Sequence, residues 1–302
     1  MSGADNLEAE AAADIMLCCA SCGIAEVDDI KLKDCDDCDL VKYCSDKCQR
    51  DHLTEHEKAC KERAAELRDD ILFRQPESSH HGDCPICFLP LPIDMKKSRL
   101  YACCSKLVCN GCEHANILRE LNKKLHPQCP FCRHPAPKTE AEADKNNMKR
   151  IAVNDPFALR EMGVRCYRDG DFQGAFEYLT KAAELGDVEA HHHLSILYRN
   201  GQGVEKDKKK ETYHEETAAI GGHPKARHNL ACYEGRNDRI DRAVKHLIIA
   251  ANLGYDDSIQ ELKKCYAHGL VSKEDFAAAL RAHQAAVDAT KSPQREAAQK
   301  RK

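Results

Sequence analysis

Sixteen of the nineteen cysteines in this 302-residue chain lie between Cys18 and Cys132, and most come in close pairs. The first run reads Cys19-x2-Cys22, Cys35-x2-Cys38, Cys44-x3-Cys48 and then His56-x3-Cys60. The second reads Cys84-x2-Cys87, adjacent Cys103 and Cys104, Cys109-x2-Cys112 and Cys129-x2-Cys132. Two residues between cysteines let both sulfurs of a tight knuckle reach one ion at about 2.3 Å. Each run therefore offers eight ligands, enough for two tetrahedral zinc sites, and four zinc ions are expected in all. Small buried hydrophobic cysteines would not fall into such pairs. Cys48, His52, His56 and Cys60 recur every four residues on one helix face, so His56 and Cys60 can point at the same metal. Cys18 and His52 are spare, and either is an alternative ligand.

Composition explains why ions are needed. With no Trp, 5% aromatic residues and a mean hydropathy of -0.63, little material is left for one large core. Each cysteine module must offset on the order of 1.5 kcal/mol of ordering entropy per residue. A structural zinc contributes an apparent ~10 to 16 kcal/mol per site in small fingers. Without metal, both modules are expected to unfold. The amino terminus carries four acidic residues and no Lys or Arg before Lys31, the reverse of a secretory n-region. An intracellular location, cytoplasmic or nuclear, is expected, where thiols stay reduced and crowded cysteines bind metal rather than each other. A formal charge of -4 argues against direct nucleic-acid binding, which rests on neutralising phosphates. No apolar run approaches the roughly 18 residues of a membrane span.

Residues 61–81 carry no cysteine and form a charged helical pattern ending near Pro76, a linker between the two modules. A second linker, rich in Ala, Glu, Asp, Lys and Asn, spans Pro135 to Asp155. From Asp155 the chain repeats itself. Ala182 and Ala183, Ala218 and Ala219, and Ala250 and Ala251 each precede a glycine, at Gly186, Gly222 and Gly254. Ala158, Ala190, Ala226 and Ser258 recur upstream, each followed four residues later by Met162, Leu194, Leu230 or Leu262. Small residues let two helices approach closely, and a glycine past the last apolar residue supplies a left-handed turn. Gly170, Gly201 with Gly203, Gly235 and Gly269 fall midway, where the first helix of each pair turns into the second. The expected architecture is a set of small zinc-stabilised α+β modules followed by an all-α solenoid of about four αα-hairpin repeats.

The run YCSDKCQRDHLTEHEKAC, with Cys19 and Cys22 ahead of it, resembles a MYND-type zinc finger over residues 18–60. The resemblance implies interleaved sites, Cys19, Cys22, Cys44 and Cys48 on one zinc and Cys35, Cys38, His56 and Cys60 on the other. The gap from Cys22 to Cys35 is slightly long, and Leu53 stands where many such fingers carry a Trp near their peptide groove. Residues 82–136 resemble a RING domain of the all-cysteine variant, with Lys106 where the common form has a His. Its cross-brace implies Cys84, Cys87, Cys109 and Cys112 on one ion and Cys103, Cys104, Cys129 and Cys132 on the other. Adjacent Cys103 and Cys104 share an ion only with a strained peptide, and His114 is an alternative to one of them. The resemblance further implies that Ile86 and Pro130 touch a ubiquitin-conjugating enzyme while Arg133 bridges it to ubiquitin. Arg suits that task because its planar fork holds two partners at once. Residues 155–289, with NLACYEGRNDRIDRAVKHLIIAANLGYD and its relatives, resemble Sel-one-like repeats of the tetratricopeptide superfamily, which implies a concave peptide-binding face.

Other features carry less. His191, His192 and His193 are consecutive, fan around a helix by about 100° each and cannot converge on a metal. Cys166, Cys232 and Cys265 read as small core residues of repeat helices. The KDKKKE run at 206–211 reads as a solvated turn, and residues 290–302 as a disordered basic tail or a weak nuclear signal. Nothing resembles a methyltransferase domain. Two functional readings remain: a RING-type ubiquitin ligase or ligase adaptor that recruits a conjugating enzyme and holds a substrate on its repeats, or a non-catalytic scaffold whose fingers only present surfaces. A chromatin-associated corepressor is a third, which nuclear staining tests.

Overall fold

The structure is a computed structural model describing residues 18–24, 26 and 30–300, in two compact units divided between Arg74 and Gln75. The acidic amino terminus on which the intracellular expectation rests lies outside the described residues. The first unit is built on a minimal antiparallel pair, β1 (Lys33–Asp34) and β2 (Lys42–Tyr43), and a long helix, α1 (Asp46–Leu72). Ser45 caps α1 by accepting from the Cys48 amide, which fixes the helix start three residues ahead of its first candidate ligand. The charged helical pattern expected beyond Cys60 is present as part of the same helix. No Gly or Pro interrupts residues 61–72, so the ligand-bearing helix simply continues to Leu72. Arg63, beyond the last ligand, reaches back with a two-point hydrogen bond to Asp39 at 2.7 and 2.9 Å.

The second unit begins with a hairpin of β3 (Ser98–Tyr101) and β4 (Lys106–Cys109), followed by α2 (Asn110–Asn122). Helix α3 (Glu140–Ile151) then occupies most of the segment expected to be linker. Thr139 accepts from the Glu142 amide, and Arg165 ties α3 to the next helix through Asp144 at 2.7 Å. Composition suggested a linker there, but Ala- and Glu-rich sequence with a Thr cap is also good helix former.

Four αα-hairpins follow: α4 (Pro156–Asp169) with α5 (Phe172–Glu184), α6 (Val188–Asn200) with α7 (Lys208–Ile220), α8 (Pro224–Arg236) with α9 (Ile240–Asn252), and α10 (Asp256–Ala267) with α11 (Lys273–Ala289). The repeated small residues Ala158, Ala190, Ala226 and Ser258 are all buried, as are Leu194, Leu230 and Leu262 one helical turn on. Leu159, Leu179, Leu194 and Leu197 form one apolar core with Ala175, Ala182 and Ala190, and Leu247, Ile259 and Leu262 form another. Gly186, Gly222 and Gly254 take positive φ of 87°, 83° and 89° after each second helix, as the repeats require. Gly235 does not turn the third hairpin. It lies inside α8, and Asp238 takes the left-handed conformation instead, a role that short polar side chains tolerate. The 206–211 charge run is not a free turn either. Asp207 accepts from the amides of Lys209 and Lys210 and starts α7, and Lys208 lies over the Tyr233 ring at 4.3 Å.

The tail is another departure. Pro293–Gln299 forms a helix, α12, capped by Ser292 and packed on α2. Arg295 is buried and donates to the carbonyl oxygens of Leu89 and Pro90 and to Cys87 Sγ, at 3.1, 2.6 and 3.4 Å. Its backbone sits so close to Gly111 that a Cβ there would lie 3.0 Å from Arg295 Cα and N. Among the described residues no helix is long and apolar enough to cross a membrane.

Buried histidines make the repeats sensitive to acid. Burial holds His223 and His246, 4% and 0% exposed, down to about 3. In the unfolded chain both return to about 6.5. The unfolded state then binds protons that the folded state refuses, so stability is lost as pH falls through 6.5. Between pH 7 and 5 this amounts to at most ~2 kcal/mol for each group. The thermal midpoint of helix unfolding, followed by circular dichroism, is expected to be several degrees lower at pH 5 than at pH 7. An unchanged midpoint would contradict the buried, neutral state of these rings.

Candidate metal centres

Each cysteine knuckle is a short hydrogen-bonded loop that turns two sulfurs to one side. In three of them the backbone closes identically. Two backbone bonds close the loop: the Gly23 amide donates to Cys19 oxygen and the Cys19 amide to Ile24 oxygen, both at 2.8 Å. Phe88 and Leu89 repeat the pattern on Cys84 at 2.9 and 3.0 Å, and Arg133 and His134 repeat it on Cys129 at 3.0 and 2.8 Å. The fourth residue after the first cysteine has positive φ in every case: Gly23 at 74°, Phe88 at 55° and Arg133 at 63°. For Phe88 and Arg133 this backbone is costly, and the knuckle imposes it.

The result is four groups whose ligand atoms lie within 4.8 Å of one another: Cys19, Cys22, Cys44 and Cys48; Cys35, Cys38, His56 and Cys60; Cys84, Cys87, Cys109 and Cys112; and Cys103, Cys104, Cys129 and Cys132. All sixteen expected ligands are brought together, and in each module the sites interleave along the chain. Spare His52 is elsewhere engaged, its Nδ1 3.0 Å from the Tyr43 hydroxyl. His114 and Cys18 also fall outside the four groups.

The distances discriminate between a metal cage and other uses of cysteine. A tetrahedron with zinc–sulfur bonds of about 2.3 Å has sulfur–sulfur edges of about 3.8 Å. Observed edges are 3.6 Å for Cys22 with Cys44 and for Cys44 with Cys48, 3.7 Å for Cys35 with Cys60, 3.8 Å for Cys87 with Cys109 and for Cys104 with Cys129, and 3.4 Å for Cys103 with Cys132. His56 Nε2 stands 3.2 Å from Cys38 Sγ, as a mixed nitrogen–sulfur site requires. A disulfide would need about 2.05 Å, and every cysteine is free. The donor sets, four sulfurs at three sites and three sulfurs with one imidazole at the other, suit zinc and leave no position open.

Adjacent Cys103 and Cys104 sit in the turn between β3 and β4. The Cys104 and Ser105 amides both donate to Tyr101 oxygen, at 3.2 and 2.8 Å, and Ser105 takes φ of 53°. The strain expected at the cysteines is thus carried by the next residue. Cys109 ends β4, caps α2 and accepts from the Cys112 amide at 3.5 Å. Proton sharing reveals how crowded the sulfurs are. The Cys109 thiol hydrogen-bonds Cys84, which with backbone donors brings Cys84 down to about 4. Burial, with the Cys84 charge nearby, pushes Cys112 up to about 12. One thiolate is thus stabilised while Cys109 and Cys112 are held toward the protonated form, and a dication is the counter-charge that lets all four sulfurs ionise.

Of the three surface residues implied by the RING resemblance, Ile86 is 36% exposed and Arg133 is exposed, but Pro130, directly after buried Cys129, is itself buried. Ile86 is joined on the surface by Phe88 and Phe131, 77% and 43% exposed.

Comparison with known proteins agrees with two of the three regions. Residues 19–60 match the MYND finger, and residues 156–187, 188–210 and 224–255 match the Sel1 repeat. The chain carries a MYND finger and three Sel1 repeats. It is a zinc-binding protein. The fourth αα-hairpin, α10 with α11, extends the array in the structure. Among curated proteins, a putative beta-lactamase HcpC of Helicobacter pylori strain J99 is 38% identical over 60 residues, and its counterpart in strain 26695 is 39% identical over 56. The matches cover 20% and 18% of this chain, and the chain spans about a fifth of those relatives, 21% and 19% of their length. Among solved structures, a Sel1 repeat protein from Oxalobacter formigenes is 26% identical, with a TM-score of 0.42 over 55% of this chain and 66% of its own. The protective antigen c5321 of uropathogenic Escherichia coli, displaying an SLR fold, is 19% identical at a TM-score of 0.40, over 55% of this chain and 37% of its own.

One constellation carries no cysteine and leaves no spacing pattern in the sequence. His80, His81 and Glu189 also bring one ligand atom each within 4.8 Å. The consecutive His191, His192 and His193 do fan out, meeting His214, Glu215 and Glu189 respectively.

Proposed function

We propose that this zinc-organised protein-interaction chain acts as a RING-type ubiquitin ligase or ligase adaptor, in which residues 82–136 recruit a conjugating enzyme and the repeats hold a substrate. The observation that carries this reading is the chemistry at the tips of the two outer knuckles. Ile86 and Phe88 flank Cys87, Phe131 and Arg133 flank Cys132, and all four side chains are exposed on a module with little apolar material to spare. Exposed apolar groups beside a cation on a small rigid module suit a transient protein partner. No thiol takes part in bond making, because zinc consumes them. The module's contribution is to position a thioester that the conjugating enzyme brings.

A second reading, a scaffold that presents surfaces without promoting transfer, is favoured by one contact. Arg133 Nη1 already donates to Asn116 Oδ1 at 2.9 Å, holding the guanidinium against its own module. Autoubiquitination by the zinc-loaded chain, assayed with a panel of conjugating enzymes, separates the two. A ligase is expected to lose at least about tenfold in rate with Ile86→Ala and with Arg133→Ala, the loss of about one well-placed contact each. Activity at background with every enzyme of the panel would leave the scaffold.

A further inference from the structure

The segment Ser78 to Gly82 runs against the second and third hairpins, and the place where it does so gathers ligand-type side chains that no cysteine site uses. His80 Nε2 lies 2.7 Å from Glu189 Oε2, and the His81 ring centroid is 3.9 Å from that of His80. We propose that His80, His81 and Glu189 form a fifth metal site, one for a divalent transition ion held by imidazole and carboxylate rather than thiolate.

Backbone geometry makes the convergence possible. Adjacent histidines on a helix diverge, as His191 to His193 do, but His80 and His81 lie in a turn. The His80 amide donates to Gly222 oxygen at 3.1 Å and the Gly82 amide to Ser79 oxygen at 2.9 Å. Gly222, at φ 83°, is needed for this approach, because a Cβ there would stand 2.7 Å from Ser78 oxygen. The turn delivers two rings to one carboxylate on α6.

The site also contains an unmet need. The His80 side chain is only 6% exposed, yet its Nδ1 has no hydrogen-bond partner. A buried ring nitrogen without a partner is unusual, and an ion offers it, or Nε2 after a ring flip, a bond. Around the three ligands stand groups of the kind that orient metal ligands elsewhere. His223 Nδ1 accepts from the Ala226 amide at 3.0 Å, which leaves the proton on Nε2, 3.5 Å from Glu189 Oε2. The nearby positive charge of Arg160 is balanced by Asp187, 3.3 Å from its Nε.

Two imidazoles and one carboxylate are the donors of three-ligand zinc centres and suit cobalt and nickel as well. The ligands line a cavity of about 660 Å³ with Ile93, Pro224 and Tyr255, so an ion has a route in and room for water beside it. An ion here would pin the segment ahead of the RING-like module to the repeats.

The test is a titration of the full chain, its cysteine sites zinc-loaded, with cobalt(II). One further cobalt per chain is expected, with zinc retained and with visible d–d absorption lacking a sulfur-to-cobalt charge-transfer band. His81→Ala and Glu189→Gln should each weaken that binding at least about tenfold, with far-ultraviolet circular dichroism unchanged, while His268→Ala leaves it intact. No cobalt bound beyond the cysteine sites of the wild-type chain would overturn the proposal, whatever the variants do. So would an extra cobalt that both variants bind as tightly as the wild type.

Discussion

Replacing Cys109 with Ser is expected to release both zinc ions of the second cysteine module and to unfold residues 84–134, while leaving the MYND finger and the repeats folded. Cys109 is fully buried and serves three purposes at once. It belongs to the group with Cys84, Cys87 and Cys112, it ends the strand that carries the Cys103–Cys104 turn, and its sulfur caps α2. The apolar cluster around it is small, with Leu91, Leu107 and Val108 as its buried aliphatic members. Such a cluster cannot offset about 1.5 kcal/mol of entropy for each of the module's residues. Losing one structural ion removes an apparent ~10 to 16 kcal/mol. Because β4 links the two sites, the second ion should leave with the first. Metal analysis of the purified variant is expected to show two zinc ions fewer than wild type. Helical circular dichroism should fall only slightly, since most helix lies in α1 and α3 to α11. An unchanged zinc count would mean that Cys109 is not a ligand.

The metal groups were legible in the sequence because coordination chemistry acts locally. A sulfur pair that must reach one ion leaves a fixed spacing, and the pairs Cys19 with Cys22, Cys35 with Cys38 and Cys129 with Cys132 could be read directly. The repeats were legible for a similar reason: where helices cross closely, only Ala or Ser fits, and Ala158, Ala190, Ala226 and Ser258 mark those crossings. What escaped depends on contacts that leave no pattern. Arg295 is buried because backbone carbonyls of Leu89 and Pro90 accept from it, more than two hundred residues away, and a carbonyl has no letter of its own. Its basic surroundings therefore read as a tail. The helical run beyond Cys60 was legible as a charged pattern ending near Pro76, and α1 stops at Leu72, just short of that proline. The place of Pro130 in the motif implies a surface position, but the packing around Cys129 buries it. His80 and Glu189, 109 positions apart, form a pair that only the folded repeats create.

Ions replace apolar cores in the two cysteine modules, while the repeats stand on buried Leu and Ala. Hydrogen exchange resolved along the chain, measured on the zinc-loaded protein before and after a strong chelator, tests this most directly. Chelation is expected to abolish protection over residues 18–60 and 84–134, where metal supplies ~10 to 16 kcal/mol per site, and to leave protection in α4 to α9 at its starting level. Adding zinc back should restore it. Amides near Cys38, Cys60, Cys84 and Cys109 that stay protected in the metal-free chain would contradict the account at its base.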